Sequence, residues 1–351
     1  MDERQGRAAE LAQRGLSRSF RSRLLPGRLR NTSRFRWRQA FALNYWWLAH
    51  AVEVRVDAFE RTGDPARLAE AERLYAQLKR RNHGLFNDYF DDMGWLCIAA
   101  LRLHDAGGPR ASASPYLADA VALFTRIHDR GWNPLHGESV SWRVQQPGYK
   151  NAPSNGAFAI ASLRLFARAG DERMRVAGEA ALDWLTETLL SPGGLVVDGL
   201  GRTGGGERDD AWVFSYNQGL YVGALVEAHA LSGDDALLAR AARTARAAIA
   251  ALAPGGVIRG ELARLDERGG GDAGLFKGIF VRYLALLVGA LPPGTERAEL
   301  LGFLRTTSGA LAGHLDADGR AGDDWSAGPP PVTALSTQLS AVMALEAVAR
   351  L

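Results

Sequence analysis

Apolar residues recur along the chain at steps of three and four. Between residues 35 and 60, Phe41, Tyr45, Leu48, Val52 and Val56 fall on one stripe, the spacing of an amphipathic helix. The same period predicts helices over 65–81, 93–105, 115–130, 154–169, 172–190, 217–231, 235–252, 275–289, 296–312 and 333–350. Residues 3–20 supply a twelfth, with Ala8, Leu11, Ala12, Leu16 and Phe20 on one face. The alternation of a strand is scarce and confined to 194–197 and 139–144.

The junctions between helices repeat. Arg61-Thr62-Gly63-Asp64, Arg168-Ala169-Gly170-Asp171 and Leu231-Ser232-Gly233-Asp234 each close one helix and open the next. The Gly is expected in the left-handed position that ends a helix, and the Asp as the cap of its successor. His104-Asp105-Ala106-Gly107-Gly108 marks a fourth junction. The other connections, 82–92, 131–153, 191–216, 255–274 and 313–332, are long and rich in Trp, Tyr, Asn and Gly. Short turns alternating with long loops suit a ring of helical hairpins with its long loops on one face. Twelve helices make six hairpins. The expected fold is all-α, an (α/α)6 barrel forming one domain over residues 1–351, with 1–34 as a basic N-terminal helix and connecting arm.

Composition narrows the function. Hydrophobic residues make up 47% of the 351 and charged residues 23%, which excludes a disordered or fibrous chain. The single cysteine, Cys97, excludes an intramolecular disulfide framework and a Cys-based zinc cluster. Lys and Arg number 42 against 39 Asp and Glu, too even a balance for a dedicated nucleic-acid binder. Only Lys79, Lys150 and Lys277 are lysines, so their positions are informative. The Arg-rich stretch from Arg14 to Arg38 reads as a solvated helix and linker, with an organelle transit sequence or an arm for an anionic surface as the alternatives. No stretch approaches the roughly 20 apolar residues of a membrane span. Residues Met1 to Gln5 lack the start of a signal peptide, so a cytoplasmic location is expected, or secretion if the N-terminus is incomplete. No phosphate loop, dinucleotide fingerprint, nucleophile elbow or His-x-x-x-His pair is present. No metal or cofactor is expected.

The long loops carry the candidate chemistry. Asn87-Asp88-Tyr89-Phe90-Asp91-Asp92-Met93-Gly94-Trp95 puts two adjacent carboxylates at the mouth of an apolar helix. Such a pair can simply cap the helix. It can also serve glycosyl transfer, since neighbours on a helix diverge by about 100° and their carboxyls can reach the roughly 5–5.5 Å that double displacement requires. Gly148-Tyr149-Lys150-Asn151-Ala152-Pro153-Ser154-Asn155 and Phe214-Ser215-Tyr216-Asn217-Gln218-Gly219 each open a helix with amides and aromatics. These groups suit either capping or the hydroxyls of a sugar. Trp132, Trp142, Trp212 and Trp325 lie in or beside the loops, as loop cores or stacking platforms.

Six segments occur in order: Tyr45-Trp46-Trp47-Leu48-Ala49-His50, Asp91-Asp92-Met93-Gly94-Trp95, Tyr149-Lys150-Asn151-Ala152-Pro153-Ser154-Asn155, Val197-Asp198-Gly199-Leu200, Ser215-Tyr216-Asn217-Gln218-Gly219 and Phe276-Lys277-Gly278-Ile279-Phe280-Val281-Arg282-Tyr283. Together they resemble glycoside hydrolase family 76, the endo-α-1,6-mannanases, from about residue 35 to the C-terminus. The resemblance implies an (α/α)6 barrel and retaining cleavage of α-1,6-mannosidic linkages. It makes Asp91 the nucleophile and Asp92 the general acid/base. The other motifs would line the sugar cleft: Trp95, Trp142, Tyr149, Lys150, Asn151, Asn155, Asp198, Tyr216, Asn217, Gln218 and Lys277. The implied partner is an α-mannan or mannosylated glycan, acted on by a monomer, with no nucleic acid and no membrane span. A transglycosylase on the same fold and a catalytically decayed glycan-binding protein are the alternatives. The loop at 201–214 departs from the family in its Gly and Asp content.

Overall fold

A computed structural model of the chain describes residues 3–22, 27–40, 42–108, 115–261 and 271–351. Among the described residues there are twelve long helices: α1 (Glu3–Phe20), α2 (Tyr45–Thr62), α3 (Pro65–Arg81), α4 (Phe90–Ala106), α5 (Pro115–Gly131), α6 (Ala152–Ala169), α7 (Glu172–Trp184), α8 (Ser215–Ser232), α9 (Asp235–Leu252), α10 (Ala273–Ala290), α11 (Thr295–Gly313) and α12 (Leu335–Ala349). Each of the twelve periodic segments has become one of them. A π-helical turn, Leu185–Leu189, prolongs α7. Parts of two expected junctions, residues 109–114 and 262–270, lie outside the described residues.

The Gly-Asp turns form as expected. Gly63, Gly170 and Gly233 take φ of 68°, 68° and 72°, and their amides return to the carbonyls of Phe59, Phe166 and His229. Asp64, Asp171 and Asp234 then accept the amides of Ala66, Arg173 and Ala236. One boundary differs from the periodicity. Phe41 lies outside the described residues; around it the chain forms one turn at Trp37–Ala40, and α2 begins at Tyr45. Phe35 and Trp37, ahead of it, are 46% and 74% exposed and have no core to bury against.

The strand expected at 139–144 exists as β2 (Ser139–Arg143). It lies in a four-stranded antiparallel sheet with β1 (Trp132–Asn133), β3 (Gln146–Asn151) and β4 (Gly199–Leu200), in the order β1-β2-β3-β4. The segment at 194–197 forms no ladder, only the isolated bridge Leu190 to Val196. The reason is local: the Gln218 side chain occupies both backbone groups of Val196, at 2.8 and 2.7 Å, as a neighbouring strand would.

The helices divide into two compact units, residues 1–81 with 249–351, and residues 82–248. In the first, α12 packs on α1, α2 and α10, and all fifteen of its residues are buried. Helix α10 is long and apolar enough to cross a membrane by composition, but 78% of it is buried inside the protein. The α10–α12 contact depends on Gly278, where a Cβ would come within 2.6 Å of the Ser340 backbone. Buried charges cross the same unit. Arg282 on α10 reaches Glu53 (3.1 Å) and Asp57 (2.5 Å) on α2, and Arg350 reaches Asp57 at 2.8 Å. His50, 2.9 Å from Glu53, sits in this balanced set. Burial lowers its pKa below 6.5, against the opposing pull of Glu53. The unfolded chain therefore takes up a proton that the folded unit resists, so stability present above pH 6.5 is lost as pH falls below it. Thermal unfolding followed from pH 8 to pH 5 should show this decline, and His50→Gln should flatten it. An unchanged slope in the variant would assign the acid sensitivity to other groups.

In the second unit, α4 packs on α5 and α6, and α6 on α7 and α8. Strand β2 touches α4, α5 and α6. It pairs with β1 at Trp132–Val140 and with β3 at Ser141–Lys150 and Arg143–Gln146, with an irregular step at Trp142. Lys150 and Asn151 pair in turn with Leu200 and Gly199 of β4. This ribbon lies against the start of α4, where the two carboxylates are.

Candidate active site

Helix α4 opens at the carboxylate pair. Asn87 accepts the Tyr89 amide at 3.0 Å, a side-chain turn that leads the chain into the helix. Phe90 and Met93 are buried at 1% and 0% exposure, which turns Asp91 and Asp92 away from the core. Both are half-buried and lie in the first helical turn, where free amides and the helix dipole favour negative charge. Asp91 accepts the Asp92 amide on Oδ1 at 2.9 Å and the Trp142 indole on Oδ2 at 3.1 Å. Asp92 Oδ2 accepts the Asn87 amide at 2.7 Å. Each carboxyl is thus oriented by a different donor.

Trp142 is clamped on the far end of β2. The Val144 amide donates to the Asp88 carbonyl at 2.9 Å, Tyr89 bridges Arg143, and Gln145 donates to Asp88 at 2.7 Å. The indole meets Tyr89 and Tyr149 edge-to-face, with centroids 5.3 and 5.6 Å apart, and the Arg143 guanidinium lies 4.6 Å from its ring. These contacts define its orientation and aim its N–H at Asp91.

Through Tyr149 the contacts continue to a third carboxylate, Asp198. Tyr149 donates to Asp198 at 2.9 Å, and burial with that neighbouring carboxylate pushes its phenol well above the usual range. Asp198 also accepts Arg202 (2.5 Å), Tyr216 (3.3 Å) and Asn217 (3.1 Å). Arg202 lies between the rings of Tyr149 and Trp212, 4.7 and 4.1 Å from their centroids. Gly199 allows this closeness, since a Cβ there would come within 2.7 Å of the Tyr149 ring and 2.8 Å of the Lys150 carbonyl. Sequence motifs far apart in the chain therefore meet as one line of contacts: Asp91, Trp142, Tyr149, Asp198, then Tyr216 and Asn217.

Several residues expected to hold sugar hydroxyls are engaged otherwise. Lys150 is wholly buried and donates to the carbonyls of Asn133, Gly137 and Ser139 at 2.5, 2.5 and 3.0 Å; burial lowers its pKa to about 8. Asn151 caps α6 by accepting the Ser154 amide. Asn155 binds both backbone groups of Val140, at 2.8 and 2.9 Å. Gln218 does the same at Val196. Each is 4% exposed or less, and these side chains brace loops. Trp95 is 2% exposed and packs inside its unit. Lys277 belongs to the other unit, where it is buried, 3.1 Å from Asp323 and 4.9 Å from the Trp325 ring. There, too, Trp46 and Trp47 both donate to Asp272 at 2.9 Å. The expected members that keep partial exposure are Asp91, Asp92, Trp142 and Tyr216. Sequence reasoning missed Asn87, Tyr89, Arg143 and Arg202. Asn87 had a signal, an Asn two residues ahead of a helix cap; the arginines had none, because the contacts of Arg143 with Tyr89 and of Arg202 with Tyr149 join residues remote in sequence.

Comparison with known proteins places this arrangement. The sequence model described as Glycosyl hydrolase family 76 matches residues 7–349. The Lin0763 protein of Listeria innocua is 34% identical, with a TM-score of 0.90 over 99% of this chain and 97% of its own. The α-1,6-mannanase GH76A of Salegentibacter sp. HEL1_6 is 34% identical, with a TM-score of 0.89 over 99% of both chains. An inactive variant of that mannanase, with two consecutive aspartates changed to asparagine, is known in complex with α-1,6-mannotriose; it is 33% identical to this chain, with a TM-score of 0.89 over 99% of both. No curated protein matches. The fold class is the expected all-α (α/α)6 barrel. A family match over nearly the whole length, carried on that fold, means that the chain belongs to glycosyl hydrolase family 76.

Proposed function

We propose that this glycoside hydrolase cleaves α-1,6-linked mannose chains with retention of configuration, using Asp91 as nucleophile and Asp92 as acid/base. The observation that carries the reading is the pair itself: two adjacent, half-buried carboxylates in the first turn of α4, each held by its own N–H donor. In the first step Asp92 gives its proton to the glycosidic oxygen while Asp91 attacks the anomeric carbon. The C–O bond to the leaving sugar breaks and a glycosyl ester of Asp91 forms. In the second step Asp92 takes a proton from water. The resulting hydroxyl attacks the same carbon and frees Asp91, so two inversions give net retention. Trp142 holds Asp91 in line and Asn87 holds Asp92. The related mannanase made inactive by changes at two consecutive aspartates, and binding α-1,6-mannotriose, supports both the assignment and the substrate.

The test is incubation with linear α-1,6-mannan, with products weighed by mass spectrometry and their anomeric protons followed by NMR from the first minutes. Shorter mannosides released first as the α-anomer are expected. A first product in the β-configuration, or products longer than the substrate with no net hydrolysis, would overturn the scheme.

A further inference from the structure

The stretch from Arg14 to Arg38 plays no part in the carboxylate site. It holds nine arginines, and no Asp or Glu occurs between Glu10 and Glu53. In the first unit, part of it closes over a cavity. Arg21 bridges Leu29 in antiparallel fashion. The Ser22 amide donates to the Arg28 carbonyl at 2.7 Å, and the Arg30 amide to the Phe20 carbonyl at 2.6 Å. This backbone pairing fixes Arg21 and Arg28 in register beside α2 and α3.

The cavity has a volume of about 230 Å³ and is walled by Arg21, Arg28, Arg55 and Arg73 together with Ser17 and a single acid, Glu70. Arg55 is its buried member, at 3% exposure. It donates to Gln13 at 2.5 Å and to Ser17 at 2.8 Å, with Glu70 3.2 Å away, which leaves two of its five N–H groups for another acceptor. Burial lowers its pKa to about 10, so it stays charged at neutral pH. Arg21, Arg28 and Arg73 have no acidic partner among the described residues. The excess charge is felt nearby: burial and the Arg28 charge together lower the pKa of Arg81.

We propose that this cavity is a binding site for a phosphoryl group. Four guanidiniums facing one carboxylate exceed what a singly charged carboxylate ligand would neutralise. A phosphate dianion matches both the charge and the planar forks of arginine. The volume admits the phosphate together with a small organic group that carries it. The proposal is independent of the hydrolytic reaction.

The test uses the full chain and calorimetric titration at low salt with inorganic phosphate and with glycerol 3-phosphate. One saturable site shared by the two is expected, weakening as salt screens the charges. The Arg28→Gln/Arg73→Gln double variant should bind about tenfold more weakly per guanidinium removed, with its hydrolytic activity unchanged. Glu70→Gln should bind several-fold more tightly, an effect of opposite sign that loss of folding cannot mimic. A parallel arm sediments the protein with vesicles containing phosphatidic acid, whose headgroup is a phosphate monoester: capture by vesicles that is lost in the double variant, without binding of the soluble compounds, makes the phosphoryl group a lipid headgroup. The absence of both saturable binding at millimolar phosphate and vesicle capture would overturn the site. Binding that is identical in the double variant would also overturn it, as an adventitious ion only.

Discussion

Asp91→Asn should lower kcat on α-1,6-mannan by on the order of 10³-fold or more, while the protein keeps its fold and its affinity for mannosides. The amide cannot form the glycosyl ester, and no neighbouring carboxylate holds the same two donors. Asp92→Asn should cost about 10²–10⁴-fold, the usual range for an acid/base, and it should differ in kind. With an activated aryl mannoside the leaving group needs no proton, so the first step survives in Asp92→Asn and fails in Asp91→Asn. Azide should then rescue Asp92→Asn by attacking the glycosyl ester without a general base. Trp142→Phe keeps both carboxylates and an aromatic ring at this place but removes the indole N–H on Asp91. The loss of one charge-assisted bond is expected to cost about tenfold in kcat with little change in KM. Stopped assays on the polymer and on the aryl mannoside read all of these. Full activity in both Asn variants would remove the pair from the chemistry.

The second large effect concerns stability. Lys150→Met should destabilise the protein by about 3–5 kcal/mol, seen as a fall in Tm on the order of 10 °C. Methionine fills a similar volume but makes none of the three bonds by which Lys150 gathers the carbonyls of Asn133, Gly137 and Ser139. Those carbonyls lie at the end of β1, in the connection and at the start of β2. Loosening this stretch should therefore disturb β2, and with it the placing of Trp142 against Asp91, so kcat should fall as well. The alternative assignment, Lys150 as a sugar ligand, predicts a raised KM with an unchanged Tm. Differential scanning calorimetry together with the kinetics of the same variant separates the two.

That contrast shows where reading the chain as a string succeeds and where it stops. Helix positions were legible within a few residues, because the stripe that α1 or α9 buries is written in its own spacing. The Gly-Asp turns were legible for the same reason: a left-handed Gly and a capping Asp act on backbone groups within four residues. The carboxylate pair was legible too, since the first turn of α4 is itself local. By contrast, Lys150, Asn151, Asn155 and Gln218 sit in the segments that carry the family resemblance, yet their polar atoms serve backbone groups, most of them in other segments of the chain. No spacing rule distinguishes a buried amide that replaces a strand at Val196 from one that faces a sugar.

What the sequence by itself determined is therefore the set of helices, their turns and the presence of two adjacent carboxylates at a helix start, because each depends on contacts within a few residues. Only the tertiary structure decided which polar side chains face outward, that the Trp142 indole is spent on Asp91, and that scattered arginines from three segments line one cavity. Burial, ring clamps and charge excess arise between residues distant in sequence, and chain spacing does not encode them.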